Sequence, residues 1–483
     1  MRSHQVLTNN WSNTQLLFVG LLLSMLIGAV SGLLTDTLVL FALPAVFLLA
    51  YLTIVDFRKV FYLLLIMLPL STEVELPGGF ATDLPSEPLM LLLTGVFLVF
   101  GLYNGRKLNT AFLKHPLTLL LILHVGWIFI TTINSEQLIF SLKFFLAKIW
   151  FVVCFYFLGG YLLKTERDIR AFFWCVFSTT LMTVIIILIR HAATGFSFEE
   201  VNFVLKPFYR NHVSYASLLV LFFPFLWYAP RWYQKYSWTW WFLASSIGVF
   251  LVAVYFTYTR AAYVSLILAI GAYVLIRGRL MKVAICLALI MGIAGVTYVT
   301  NNNKYLDYAP DYNKTITHKK FDSLIDATAK GEDISTMERV YRWVAGFHMV
   351  KEHPYLGFGP GNFYSFYKPY TVTSFTTYVS DNPEQSGVHS YFLMTAIEQG
   401  IVGLVIFILL CCYTLLLGER LYHQVASTAQ RTIVLMATLS LVIIDSILLI
   451  NDMVETDKVG SFFFLSMAVL VNIDLRLSRG NPY

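Results

Sequence analysis

Four arginines and two histidines stand where a membrane-embedded chain otherwise avoids such groups, and their chemistry points to one kind of substrate. Arg260 lies in Tyr255-Phe256-Thr257-Tyr258-Thr259-Arg260-Ala261-Ala262-Tyr263, a tight turn between apolar runs, with Tyr263 in the same turn. Arg210 and His212 lie in Phe208-Tyr209-Arg210-Asn211-His212, just ahead of another run. Arg339 and Arg342 are three residues apart, so on a helix both guanidinium groups project from one side. His389 follows in Gly387-Val388-His389-Ser390-Tyr391. Guanidinium forks match phosphate oxygens two at a time and neutralise a departing diphosphate. An imidazole, with an ordinary pKa of about 6.5, accepts or orients the proton of an attacking hydroxyl. The combination suits group transfer from a diphosphate to a hydroxyl.

Each of these residues has a plainer reading. Arg260 can snorkel to a lipid phosphate. Arg339 and Arg342 can form a solvated helix face with Glu338 as partner, and His389 can be a helix-start residue bonded to loop backbone. Arg210 and His212 make a cluster richer in donors than interfacial anchoring requires. Lys148, about 15 Å deep along its helix, would cost roughly 2.5–3.5 kcal/mol if left unpaired, so it is expected to face the bundle interior. Whether it meets substrate or a buried partner such as Asp445 stays open. For a metal the sequence offers little: Asp381, Glu384 and His389 are close, but no compact Asp-x-Asp or His-x-x-x-His run lies near the arginines. Metal-free chemistry with no cofactor is expected.

The elements that must position these groups are membrane helices. Of 483 residues, 58% are hydrophobic and only 13% charged, against about 25% charged in ordinary soluble domains. Apolar runs of about 17–25 residues match the roughly 20 needed to cross the hydrocarbon, and no alternating barrel pattern appears. The expected fold class is an all-α polytopic integral membrane protein. Fourteen spans are predicted, centred near Leu22, Val46, Leu65, Leu93, Ile122, Trp150, Thr180, Val220, Val249, Leu268, Leu289, Leu404, Ile443 and Ser466. A twelve-span alternative loses the short segment around Leu65 and one neighbour.

Three parts follow in chain order: helices over 1–298, a large loop over 299–388, and helices over 389–483. Lys and Arg crowd alternate loops, from Arg2, Arg58 and Lys59 through Lys164, Arg167 and Arg170 to Arg476 and Arg479. The short loops opposite hold only Arg190, Lys206, Arg210, Arg260 and Lys458. By the positive-inside rule both termini are cytoplasmic and the large loop is outside. The net charge of +6 follows from this asymmetry and implies no nucleic-acid partner. The first run is long enough to span and is followed at once by another, so it reads as a permanent anchor. All five cysteines fall inside predicted spans, so none can staple the loop.

Within the loop, Ile334, Met337, Tyr341, Val344 and Phe347 recur at helical steps, and Ser335 with Glu338 matches a capping box. Pro354, Gly357, Gly359, Pro360 and Gly361 end that helix. The aromatics Tyr364, Phe366, Tyr367, Tyr370, Phe375 and Tyr378 suit a cover that stacks on sugars, with loop packing as the competing role.

These features in this order resemble the bacterial O-antigen ligase and polymerase superfamily: an Arg before a mid-chain span, a Thr-Arg-Ala-Ala turn, then a large loop. The loop carries Glu338-Arg339-Val340-Tyr341-Arg342-Trp343, the run from His353-Pro354 to Gly361-Asn362-Phe363, and His389-Ser390-Tyr391-Phe392-Leu393. Glu398-Gln399-Gly400-Ile401-Val402-Gly403-Leu404 follows. The likeness covers about the last 280 residues of the chain. It implies a GT-C-like glycosyltransferase of the bacterial inner membrane, working at the periplasmic face on a glycan carried by undecaprenyl diphosphate. By position, Arg210, Arg260 and His389 fall on the family's essential arginines and loop histidine, and Arg339 and Arg342 on its loop arginine motif. His212, Lys148 and Tyr263 are further substrate-binding candidates.

The favoured branch is the ligase, which transfers the glycan to lipid A-core oligosaccharide by direct displacement. An O-antigen polymerase and a protein O-oligosaccharyltransferase differ in acceptor only. A transporter of lipid-linked sugars would explain the spans. It would not need a large loop ending in His389, and it would carry more acidic residues within spans than Asp445 and Glu398.

Overall fold

A computed structural model describes residues 13–35, 43–76, 80–105, 109–308, 334–372, 382 and 386–479. The chain divides after Leu65 into two compact units, and every functional group discussed below belongs to the second. The helices are α1 (Asn13–Thr35), α2 (Leu43–Met67), α3 (Ser86–Asn104), α4 (Pro116–Ile133), α5 (Leu138–Leu162), α6 (Glu166–Ala193), α7 (His212–Tyr228), α8 (Trp238–Tyr255), α9 (Arg260–Gly278), α10 (Met281–Thr300), α11 (Ile334–Glu352), α12 (Tyr391–Gln424), α13 (Thr428–Leu448) and α14 (Asp457–Ser478). Among the described residues, twelve helices are long and apolar enough to cross a membrane, all of these except α2 and α11.

The two runs centred near Val46 and Leu65 both fall in α2, where two helical stretches meet at a kink at Asp56 (φ −160°, ψ 92°), and α2 is not among the helices long and apolar enough to cross a membrane. The charged Asp56, Arg58 and Lys59, which read as a loop, lie within it. Among the described residues the number of candidate spans is that of the twelve-span alternative. A second departure from the all-helical expectation is a small antiparallel hairpin, β1 (Thr72–Leu76) and β2 (Phe80–Leu84), with Thr72 opposite Leu84 and Leu76 opposite Phe80.

The interior of the bundle is built from α7, α13 and α14, with 78%, 78% and 89% of their apolar windows buried, whereas α10 has none. Lipid tails are as apolar as leucine, so close packing rather than the hydrophobic effect holds such helices together. Phe173, Phe177 and Phe222 supply one such contact as a near-parallel stack, with ring centroids 5.1 and 5.6 Å apart.

Two irregularities shape the outer part of the bundle. Helix α5 widens into a π-type segment over Val152–Leu158, four residues beyond Lys148, and this segment packs on α14. Helix α12 breaks at Gly400 (φ 71°, ψ 178°), a conformation open essentially to glycine alone. The break frees backbone groups that must find partners at membrane depth. The glycine-rich loop after α11 provides them: Phe358 N–H donates to Ile397 O (3.0 Å), Gly359 N–H to Glu398 O (2.9 Å), and Ile401 N–H to Pro354 O (2.8 Å). Trp127 Nε1 donates to Gln399 O (2.8 Å). A side chain on Gly357 would collide with the Ile397–Gln399 backbone. The run from Pro354 to Phe363 is thus the plug that docks the outer loop onto a broken helix. The five cysteines are free, as a loop held by docking requires.

Candidate functional site

The site is best built outward from Arg342. Helix α11 presents it inward, almost wholly buried (1% exposed). A buried guanidinium must have its donors satisfied. Its partners are Glu338 one turn earlier, the Gly387 carbonyl (3.0 Å) and His389 Nε2 (2.8 Å). A guanidinium can only donate, so Nε2 accepts and the ring proton sits on Nδ1. His389 is in the left-handed region (φ 57°), immediately before Ser390 caps α12 by accepting from Leu393 N–H. Burial, with the Arg339 and Arg342 guanidiniums nearby, pushes the imidazole down to about 3. It is neutral at working pH.

That depressed value has a stability consequence. A histidine that titrates near 6.5 in the unfolded chain and near 3 in the fold contributes no penalty above pH 6.5 and destabilises progressively as pH falls from about 6.5 to about 3. Acid unfolding followed by tryptophan fluorescence is expected to show this limb. His389→Gln, which cannot take up the proton, is expected to flatten it.

Asp452, in the connection between α13 and α14, faces the same group. A Cβ on Gly387 would strike its carboxylate, and Tyr391 N–H donates to the neighbouring Asn451 carbonyl (3.2 Å). Burial and then the nearby Glu455 carboxylate raise Asp452 to about 6, while Arg342 and Arg339 pull the other way. Lys148 is buried (2% exposed). It meets Glu455 of the same connection and donates to the Tyr391 hydroxyl (3.0 Å), which in turn donates to Glu455 Oε1 (2.7 Å). The buried partner is Glu455 rather than Asp445.

Between these groups lies a cavity of about 280 Å³. Its walls include the carboxylates Glu398, Asp452 and Glu455, the rings Phe144, Phe363, Tyr364 and Tyr391, and Gly361 and Gly387. Glu398 also supports the plug, accepting from Phe363 N–H (3.2 Å). Many of the loop aromatics pack in a separate small core: Phe363 and Tyr367 are buried with Tyr341, Met349, Phe358 and Ile397, and Phe366 and Tyr370 flank them. Tyr364 is the one of the six that lines the cavity as well; Phe375 and Tyr378 lie outside the described residues.

Arg210 and Arg260 belong to the region around the start of α7. Arg210 is largely exposed and pairs with Glu73 of β1 at 3.5 Å. His212, at the start of α7, bonds through its N–H and Nδ1 to Asn202 Oδ1 (2.9 and 3.0 Å). Thr259 Oγ1 donates to the His212 carbonyl (3.4 Å), tying the turn before Arg260 to the start of α7. Arg260 itself is half-buried at the first position of α9. Tyr263 donates to the Tyr255 carbonyl across the same turn. Farther along α7, Ser217 contacts Met453 of the α13–α14 connection (3.7 Å). Neither Arg210, Arg260 nor His389 lines the 280 Å³ cavity itself. Among the described residues, no three His, Cys, Asp or Glu side chains are grouped to hold a metal ion.

Sequence reasoning did not single out Asp452, Glu455 or the role of Gly400. A signal existed for the first two, as acidic residues in a short outer connection between apolar runs.

Residues 246–408 match the family model described as O-antigen ligase. That segment, about a third of the chain, is similar to the O-antigen ligase/polymerase superfamily. The O-antigen ligase segment begins within α8 and ends within α12, so it holds Arg260, Arg339, Arg342, His389, Glu398 and Gly400. It leaves out Lys148, Arg210, His212, Asp452 and Glu455. It is also narrower than the stretch over which the sequence resemblance was drawn. No curated protein matches the chain.

Proposed function

We propose that this protein is an O-antigen ligase of the bacterial inner membrane, transferring a glycan from undecaprenyl diphosphate to lipid A-core oligosaccharide at the periplasmic face. The observation that carries the reading is the Arg342–His389 contact behind Gly387 and Asp452, two residues that line a cavity walled by carboxyl groups and aromatic rings. Carboxyl groups bond sugar hydroxyls and rings stack on sugar faces, whereas the cavity wall carries no guanidinium group to hold a phosphate. The cavity therefore suits a sugar ring, and the diphosphate belongs on the arginine side, with Arg260 and Arg210.

Chemically, an acceptor hydroxyl oxygen forms a bond to the anomeric carbon of the donor as the bond from that carbon to the diphosphate oxygen breaks. Undecaprenyl diphosphate leaves with the electron pair, its charge met by guanidinium groups. His389 orients the acceptor oxygen through its Nδ1–H, because Nε2 is already engaged by Arg342. Asp452 is the carboxylate placed to take the hydroxyl proton, with an elevated pKa that suits the task. Lys148 holds Tyr391 and Glu455 against the cavity, and Arg339 adds a second positive charge. No step needs a metal ion.

Deleting the gene and running lipopolysaccharide on a gel separates the readings. A ligase predicts intact core without long chains while lipid-linked polymer accumulates. Core bearing single repeat units means a polymerase, and unchanged lipopolysaccharide contradicts both.

A further inference from the structure

A second cavity, of about 580 Å³, lies at the other end of α5. Its walls are almost entirely apolar, formed by α3, the α5 end and the segment around Phe112. Leu98 and Leu102 on its border are 53% and 85% exposed, so the mouth opens sideways from the bundle. The one amide in the inner wall, Asn472, donates to the Gly160 and Leu163 carbonyls (2.8 and 3.0 Å). An occupant therefore meets no open donor inside and must itself be apolar there.

The rim is different. Lys164 borders the cavity with its ammonium group 4.5 Å from the Tyr161 ring centroid. Asn109, also on the border, accepts from Arg479 (2.8 Å). Both cations lie in the loops where the sequence concentrates Lys and Arg. A long apolar slot open to lipid, with two cations at its edge, is complementary to a chain carrying an anionic head. We propose that this cleft binds an anionic phospholipid, with an acyl chain between α3 and α5 and the headgroup phosphate on Lys164 and Arg479. The head at this rim is not the donor's diphosphate in the proposed transfer: Lys148 marks the transfer end of α5, and Leu162 lies fourteen residues further on, about 21 Å away at helical rise.

The test uses purified, delipidated full-length protein in neutral detergent, with phosphatidylglycerol and phosphatidylcholine of identical acyl chains, read by native mass spectrometry and thermal unfolding. One phosphatidylglycerol is expected to remain bound and to raise the unfolding temperature, with phosphatidylcholine retained far less. Lys164→Gln is expected to cut phosphatidylglycerol occupancy about fivefold, the scale of one lysine–anionic lipid contact near a membrane surface. Gly101→Trp, which fills the slot, is expected to cut it as well without touching the rim. Equal retention of the two lipids, wild-type occupancy in both variants, or the same thermal shift from inorganic phosphate alone would each overturn the proposal. None of these readings depends on transfer activity, so they stand apart from the ligase assignment.

Discussion

Replacing Lys148 with methionine is expected to destabilise the protein by about 1–3 kcal/mol, the cost of leaving the partners of a charged hydrogen bond unpaired, and less than for a fully buried pair because Glu455 is 22% exposed. Methionine fills similar volume, so the loss comes from electrostatics rather than from a cavity. Glu455 would keep its charge beside the Tyr391 hydroxyl with nothing to balance it, in a setting where Lys148 is 2% exposed. Thermal unfolding in detergent measures the effect. Lys148→Met combined with Glu455→Gln should recover much of it, because both charges are then gone. Failure of the double variant to recover would mean that Lys148 acts through something other than Glu455.

Gly400→Ala is expected to be nearly as damaging, for a backbone reason. At φ 71° and ψ 178° a non-glycine residue costs about 1–3 kcal/mol, and here the added Cβ also runs into the Tyr355 carbonyl. Relief requires the plug to lift from the α12 break, which unpairs the Ile397, Glu398 and Ile401 backbone groups. Hydrogen exchange should then show faster labelling at Phe358 and Gly359, and transfer should fall by more than tenfold because α11 carries Arg342 on the same loop. An alanine variant with wild-type exchange at those two amides would mean that the plug does not depend on this glycine.

Much of this was legible in the sequence where a single physical rule decided. Span length and composition gave the membrane class, and the three-residue spacing put Arg339 and Arg342 on one side of a helix; that this side meets His389 shows only in the fold. The burial of Lys148 followed from the cost of an unpaired cation at depth. Its partner did not follow, because that depends on which connection folds over α5: Asp445 lies on α13 beside Cys411, and Glu455, ten residues later, reaches Lys148 instead. The kinked α2 was read as two spans because charge runs usually mark loops, yet a helix can carry Asp56, Arg58 and Lys59 through a bend. The hairpin was missed because its strands are only five residues each and adjoin an apolar run. The glycine-rich run read only as the stop of a helix. Its work is to pair with backbone freed by a helix break, which local pattern does not reveal.

Transfer assayed with purified protein, in chelator, from a polyprenyl-diphosphate-linked glycan to lipid A-core oligosaccharide tests the central claim most directly. Wild-type protein is expected to remain active, and His389→Ala and Arg260→Ala to lose transfer while still unfolding cooperatively. Retained transfer in both folded variants, or wild-type activity that disappears on metal removal, would contradict the account.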